Sequence, residues 1–330
     1  MVVDRREATL PVAAPPHVPE AGEAAGAPIR QSSLWRDAFR RYVRNKGAVV
    51  AGAIFTLIVI YCIIIPGFSV FGLFKVPGIW TSIFDIDPND ADYGQTYLGP
   101  SLKHPFGTDG AGRDLFTRTA LGGQISILIG FGATLAILFI GVTYGAVSGF
   151  LGGKVDNGMM RFLDALYGLP YLPFAILTIQ IVSNQGAVDR KTMVIALAIA
   201  SWFITARIVR GQIITLKEND YVRAARAVGA RWYRILVRHL LPNTLGVLII
   251  AVFLELPGVV LGEAFLSFIG LGINPPNASW GSMAQEGRSA YRLHPMLIVI
   301  PSVAIATLVL CANFIADGLR DALDPRTRET

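Results

Sequence analysis

Apolar positions in this chain gather into long runs separated by short polar connections. Six runs approach the roughly 20 residues that a helix needs to cross a ~30 Å hydrocarbon core. They cover about 47–66, 124–150, 159–183, 192–212, 244–268 and 294–316. The pattern predicts an all-α integral membrane protein with six transmembrane helices. The runs are not uniform rods. The second carries Gly130, Gly132, Ala133, Ala136, Gly141, Gly145, Ala146 and Gly149, and small residues spaced near four let helix backbones approach closely in a membrane. Pro170 and Pro173 break the third run and Pro257 the fifth. Such breaks are tolerated where neighbours or water satisfy the freed carbonyls.

Charge orients the runs. Arg30, Arg36, Arg40, Arg41, Arg44 and Lys46 precede the first against one acid, Asp37. Residues 207–241 hold Arg207, Arg210, Lys217, Arg223, Arg226, Arg231, Arg234 and Arg238 against Glu218 and Asp220. The connection 67–120 reverses the balance with Asp85, Asp87, Asp90, Asp92, Asp109 and Asp114. Lys and Arg collect on the cytoplasmic side, so both termini and the basic connection are expected inside. The 67–120 and 273–293 segments are expected outside.

Composition agrees. Of 330 residues 53% are hydrophobic and 16% charged, with mean hydropathy +0.51, against about 25% charged in a soluble domain. The net charge of +6 follows from the sorting just described and needs no nucleic acid to explain it; lipid is the partner it implies. Cys62 and Cys311 both fall in apolar runs and read as inert buried thiols. Residues 1–33 lack the continuous apolar core of a signal peptide and read as a mobile cytoplasmic tail. The remaining plan is an interfacial segment and first span (34–66), an external loop (67–120), a core of five spans (121–318) and a second cytoplasmic tail (319–330). Within the core, 214–241 forms a cytoplasmic connection.

That connection contains YVRAARAVGARWYRILVRHLLPN, residues 221–243. At 100° per residue Val222, Ala225, Gly229, Tyr233 and Leu236 share one stripe, with Trp232 at its border. Arg223, Arg231, Arg234 and Arg238 gather opposite, and Gly229-Ala230 is a point where the helix can split. One reading lays it on the membrane with arginines on anionic lipid. The other makes it a docking knob, because bare Ala224, Ala225 and Gly229 are poor membrane anchors.

The same residues carry a resemblance. Ala224-Ala225, Gly229 and, after nine intervening residues, His239-Leu240-Leu241-Pro242 resemble the EAA loop of ABC-importer permeases, although Arg223 replaces the usual Glu and His239 the usual Ile. HPFGTDGAGRDLFTR (104–118) and EAFLSFIGLGINPPNASWGSMAQEGR (263–288) are similar to segments of the dipeptide, oligopeptide and nickel branch, in its C-type permeases. The resemblance spans about 35–325. It implies a type I importer (MetI-like) fold in the inner, cytoplasmic membrane, with 214–241 as the coupling helix. It also implies a second, homologous permease, two cytoplasmic ATPases that bind ATP and Mg, and an extracytoplasmic substrate-binding protein. Asp220, Tyr221, Ala224, Ala225, Gly229, Ala230, His239 and Pro242 would meet the ATPase. His104, Asp109, Arg113 and Trp280 would lie near the binding-protein surface, while Glu255, Glu263, Pro170 and Asn313 are candidates for the pathway.

The residues themselves keep alternatives open. HPFGTDGAGRD looks like acid–base or metal chemistry. The stronger reading gives its glycines to turns, Thr108 and Asp109 to local backbone bonds, and Asp114 to a helix cap. Glu255 either lines a pathway or makes a buried hydrogen bond, since acids at membrane depth are costly and face a bundle interior or water. Glu263 suits a structural role at an outer gate, and Arg161 with Asp164 an i,i+3 pair. No metal-ligand spacing and no Gly-x-x-x-x-Gly-Lys-Ser/Thr loop occurs, so the chain is expected to be a non-catalytic subunit with no cofactor of its own. A self-contained ion-coupled transporter built on Glu255 is the rival from another class.

Overall fold

A computed structural model describes residues 34–70, 74–183 and 186–323. The expected tail at 1–33 and the final residues 324–330 lie outside the described residues. Helix α1 (Leu34–Arg44) ends at Asn45, whose side chain accepts the Ala48 N–H and so caps α2 (Lys46–Ile64). The Tyr42 hydroxyl donates to the Ala48 carbonyl at 3.1 Å, which folds α1 back along the start of α2.

The segment after α2 adds a small exception to a mostly helical chain. Strands β1 (Gly67–Val70) and β2 (Phe74–Pro77) pair antiparallel, and α3 (Ile79–Phe84) follows. Gly67 closes the hairpin base at φ +76°, where a Cβ on it would run into the Val76 carbonyl.

Helix α4 (Leu115–Leu151) begins well before the apolar run that announced it. Asp114 caps it by accepting the Thr117 N–H at 2.8 Å. Its first turns hold Thr117, Arg118 and Thr119, all buried; polar residues hide from a hydropathy pattern even when they lie inside the protein. At 37 residues it measures about 55 Å, longer than the hydrocarbon core.

The small residues of α4 form its contact with α7 (Arg190–Leu216). A Cβ on Gly141 would sit 2.8 Å from the Thr205 side chain, and one on Gly149 2.8 Å from the Arg210 carbonyl oxygen. On Gly145 it would meet the Ala206 carbonyl. The two backbones therefore touch along successive turns, and any side chain at these three positions forces them apart.

The third apolar run is not one rod. Helices α5 (Gly153–Tyr167) and α6 (Tyr171–Val182) meet at a 95° bend across Gly168-Leu169-Pro170. After α7 come α8 (Asp220–Ala227), α9 (Trp232–Ile235) with a π turn over Leu236–Leu240, and α10 (Leu241–Leu266). A second π turn (Ser267–Leu271), α11 (Trp280–Gly287) and α12 (Met296–Leu323) complete the chain. The helix α12 runs into the region expected as a tail at 319–330. Among the described residues five helices are long and apolar enough to cross a membrane, or six if the bent α5–α6 pair is one span. Two apolar cores flank α4. Ile129, Ile137, Leu163, Ile179 and Leu197 fill one, and Leu256, Val260, Trp280 and Leu308 the other. Cys62 and Cys311 are free and buried.

Candidate functional site

Three places concentrate the residues singled out by sequence. The first is the connection between α7 and α10. It splits as Gly229 allows: α8 closes with the Gly229 N–H on the Arg226 carbonyl (2.9 Å) and the Ala230 N–H on the Ala225 carbonyl (3.1 Å). That pair of bonds is a Schellman turn, which needs a left-handed residue, and Gly229 supplies it at φ +77° with open space around its Cα. Val222, Ile235, Leu236 and Leu240 turn inward against Ala146, Val209 and Ile213 of α4 and α7. The single stripe drawn from sequence is thus divided, with Tyr233 and Gly229 exposed and Ala225 half-buried. Arg223, Arg231, Arg234 and Arg238 are exposed. Asn243, at the start of α10, donates to the Tyr221 hydroxyl (3.3 Å) and the His239 carbonyl (2.9 Å), while Pro242 occupies the first turn, where no N–H partner is needed. Asp220, Tyr221, Ala224 and Ala230 complete the knob.

Beneath it lies a clamp that sequence reasoning missed. Asp156 of α5 accepts from Ser148 of α4 and, at 2.6 Å, from Arg210 Nε of α7. Lys217 Nζ donates to the Gly149 carbonyl at 3.0 Å. Asp156 and Arg210 lie too far apart in the chain for any helical spacing to pair them.

The second place is a groove of about 610 Å³. The α5–α6 bend contributes Tyr167, Leu169, Tyr171 and Phe174, α7 contributes Ser201 and Phe203, and α10 contributes Glu255 and Gly258. Glu255 is half-buried. Pro170 caps α6 beside the groove and is exposed. At its edge Arg207 pairs with Asp164 at 2.6 Å and lies 4.5 Å from the Tyr167 ring centroid. Asp164 therefore takes its partner from α7 rather than from Arg161. Asn313 is outside this groove, exposed and donating to the Val309 carbonyl of its own helix.

The third place is the segment that leads into α4, together with α11. His104 Nδ1 lies 3.0 Å from Asp114, and Asp109 accepts the Ala111 and Arg113 N–H groups as well as Arg113 Nε at 2.7 Å. Gly107 and Gly112 turn at φ +78° and +77°. Arg113 and Arg118 both reach Glu286 of α11, at 2.6 and 3.0 Å. The motif is thus a folded knot. His104 and Asp109 are buried, and Trp280 is 1% exposed with its indole N–H on the Thr119 carbonyl at 2.8 Å. Their burial means that these three side chains can shape the surface around them through the backbone they hold in place. Arg113 remains partly accessible. Glu263 is fully buried and accepts from Ser126 (3.1 Å) and Ser267 (2.6 Å), while Ser126 also accepts the Trp280 N–H. It ties α4, α10 and α11 together through this network. Among the described residues no cluster of three metal-ligating side chains occurs.

The long apolar helices define a multi-pass helical membrane protein. Comparison with known proteins gives the family. Residues 141–329 match the binding-protein-dependent transport system inner membrane component, and residues 33–100 match the N-terminal transmembrane domain of oligopeptide transport permease C. The oligopeptide transport system permease protein OppC of Haemophilus influenzae is 39% identical over 90% of this chain and 90% of its own length. The dipeptide transport system permease protein DppC of Bacillus subtilis is 38% identical over 90% of this chain and 87% of its own. A chain of the MetNI methionine ABC transporter, solved in inward-facing conformations, aligns with 58% of this chain and 93% of its own at 20% identity and TM-score 0.42, a likeness too distant to define how the spans are arranged. The chain belongs to the binding-protein-dependent permease family of ABC transporters, in its oligopeptide and dipeptide branch.

Proposed function

We propose that this chain forms half of the translocation pathway of an ATP-driven importer of di- and oligopeptides, in the inner membrane with both termini cytoplasmic. A second, homologous permease supplies the other half. Two ATPases, carrying the ATP and Mg, dock on 214–241, and an extracytoplasmic binding protein delivers substrate to the opposite face. The peptide cargo rests on the names of the relatives, and a nickel or other small-solute cargo is the remaining alternative.

The observation that carries the reading is the seating of the knob. Its outward face offers small residues and solvated arginines, while its inward face locks Val222, Ile235, Leu236 and Leu240 onto α4 and α7. Packed interiors transmit displacement because they are dense. A push on α8 therefore reaches α7 through these contacts and α10 through Tyr221, Asn243 and Pro242. Both α7 and α10 wall the groove, so movement of the knob alters the groove. ATPase closure would thus switch its access from one side of the membrane to the other.

Reconstitution of the two permeases, the ATPases and the binding protein into vesicles tests this. ATP-dependent peptide uptake, lost when the ATPases' phosphate-binding loops are mutated, is the expected result. Uptake by this chain alone, driven by an ion gradient, would replace the importer with a secondary transporter.

A further inference from the structure

The groove between the α5–α6 bend, α7 and α10 contains one feature that transport of a generic solute does not require. Glu255 projects a carboxylate into it, and among the described residues no side chain hydrogen-bonds or ion-pairs with that carboxylate. The nearby cation, Arg207, is engaged by Asp164 and by the Tyr167 ring. Glu263, eight residues on along the same helix, shows the contrast: it is satisfied by Ser126 and Ser267. An unpartnered carboxylate at span depth is expensive, and a ligand that brings a positive charge removes the cost.

The walls point to the same ligand. Tyr167, Tyr171, Phe174 and Phe203 surround the groove, and aromatic faces attract an ammonium group. Gly258 stands one turn beyond Glu255 with open space above its Cα, which leaves room beside the carboxylate. We propose that Glu255 receives the α-ammonium group of the peptide in transit and selects cargo with a free amino terminus. This rests on the peptide-importer reading and names the end of the peptide that the groove holds. Half-burial suits a transit site. The carboxylate is only partly enclosed by this chain, so the ammonium meets one strong contact rather than a closed cage and can leave again.

The test uses the complete importer in vesicles, with Glu255→Gln and Glu255→Asp, and two probes: tri-alanine and its analogue with hydrogen in place of the amino group. Uptake is expressed per ATP hydrolysed and normalised to the amount of each probe held by the binding protein. Glu255→Gln is expected to lower tri-alanine uptake about tenfold, the scale of one lost charge-assisted hydrogen bond. Analogue uptake should fall much less, so that the tri-alanine to analogue uptake ratio drops several-fold, and Glu255→Asp should recover most of the loss. An unchanged uptake ratio overturns the proposal, as does an equal fall for both probes. Loss of the second permease on purification of Glu255→Gln also overturns it, assigning the carboxylate to a subunit contact. If the wild-type importer takes up no peptide with ATP and binding protein, the importer reading itself falls, and this proposal with it.

Discussion

The two ends of the molecule handle charge in opposite ways. At the outer end Arg113 and Arg118 meet Asp109 and Glu286, and His104 meets Asp114, so opposite charges cancel within a buried knot. At the knob between α7 and α10 Arg231, Arg234 and Arg238 stand exposed, Arg223 lies a loose 3.9 Å from Glu218, and the tight Asp156–Arg210 pair sits beneath the contact face rather than on it. The outer end is fixed by its own charges. The inner end is fixed by apolar contacts and one left-handed glycine, which leaves its charged and small residues on the surface. A frame and a contact surface are built from similar residue types, and pairing and burial decide which one results.

Breaking the frame should cost most. Arg118→Met removes a cation that is 2% exposed and leaves Asp109 and Glu286 to Arg113. The expected loss is about 3 kcal/mol, at the low end for an unpaired buried charge because Arg113 still holds both acids. A fall in the melting midpoint of the purified subunit checks it, and an unchanged midpoint would show that the knot is not a frame.

The knob is tested through its turn. Gly229→Val should cost about 1–2 kcal/mol, since an L residue resists the left-handed region, and should abolish ATPase stimulation by loaded binding protein. Gly229→Asn tolerates that region and should retain most stimulation. Gly229→Trp adds bulk on an open surface as well as strain. If Asn and Trp fail equally while the subunit still inserts, empty space rather than backbone geometry is what the ATPase requires.

A smaller effect is expected at Asp189, which caps α7 by accepting the Thr192 N–H at 2.8 Å. Asp189→Ala should cost about 1 kcal/mol. The backbone bond from Thr192 holds this carboxyl below the ordinary aspartate range. Because the folded-state value is depressed, the cap's contribution is complete above the unfolded value and fades as pH falls through the folded one. Melting midpoints of wild type and Asp189→Ala should therefore differ at neutral pH and converge in acid. Smallest of all, Arg231→Gln with Arg234→Gln should shift stability by less than about 0.5 kcal/mol and leave coupling intact. A complete loss of transport there would return the segment to a lipid-anchoring role.

Much of the fold was legible because its signals are local. Apolar run length marks helices, and Pro170 marks a break. Asp114 marks a helix start, and the small residues of the second run mark a close helix contact. Gly229 likewise announced the split in the knob. What escaped was non-local or masked by polarity. The first turns of α4 are polar yet buried. The hairpin at 67–77 has strands of four residues, so the alternation in Phe68-Ser69-Val70 and Phe74-Lys75-Val76 is too short to stand out beside the apolar run before it, and Asp164 found Arg207 of another helix instead of Arg161. The family resemblance places Trp280 near the binding-protein surface, and nothing in its own segment announces that Gly123 opposite it leaves room for the ring to enter the interior.

The sequence by itself determined that this chain enters the membrane, how its charges are sorted, where its helices break, and to which family its motifs belong. These are properties of short windows, in which hydrophobicity, turn chemistry and charge add along the chain. Only the tertiary structure decided which acids are satisfied and which are not. Glu255 and Glu263 look alike in one apolar run, but Ser126 of α4 and the turn at Ser267 reach only one of them. Hydrogen-bond partners come from helices distant in sequence, and the close approach of those helices is what selects them.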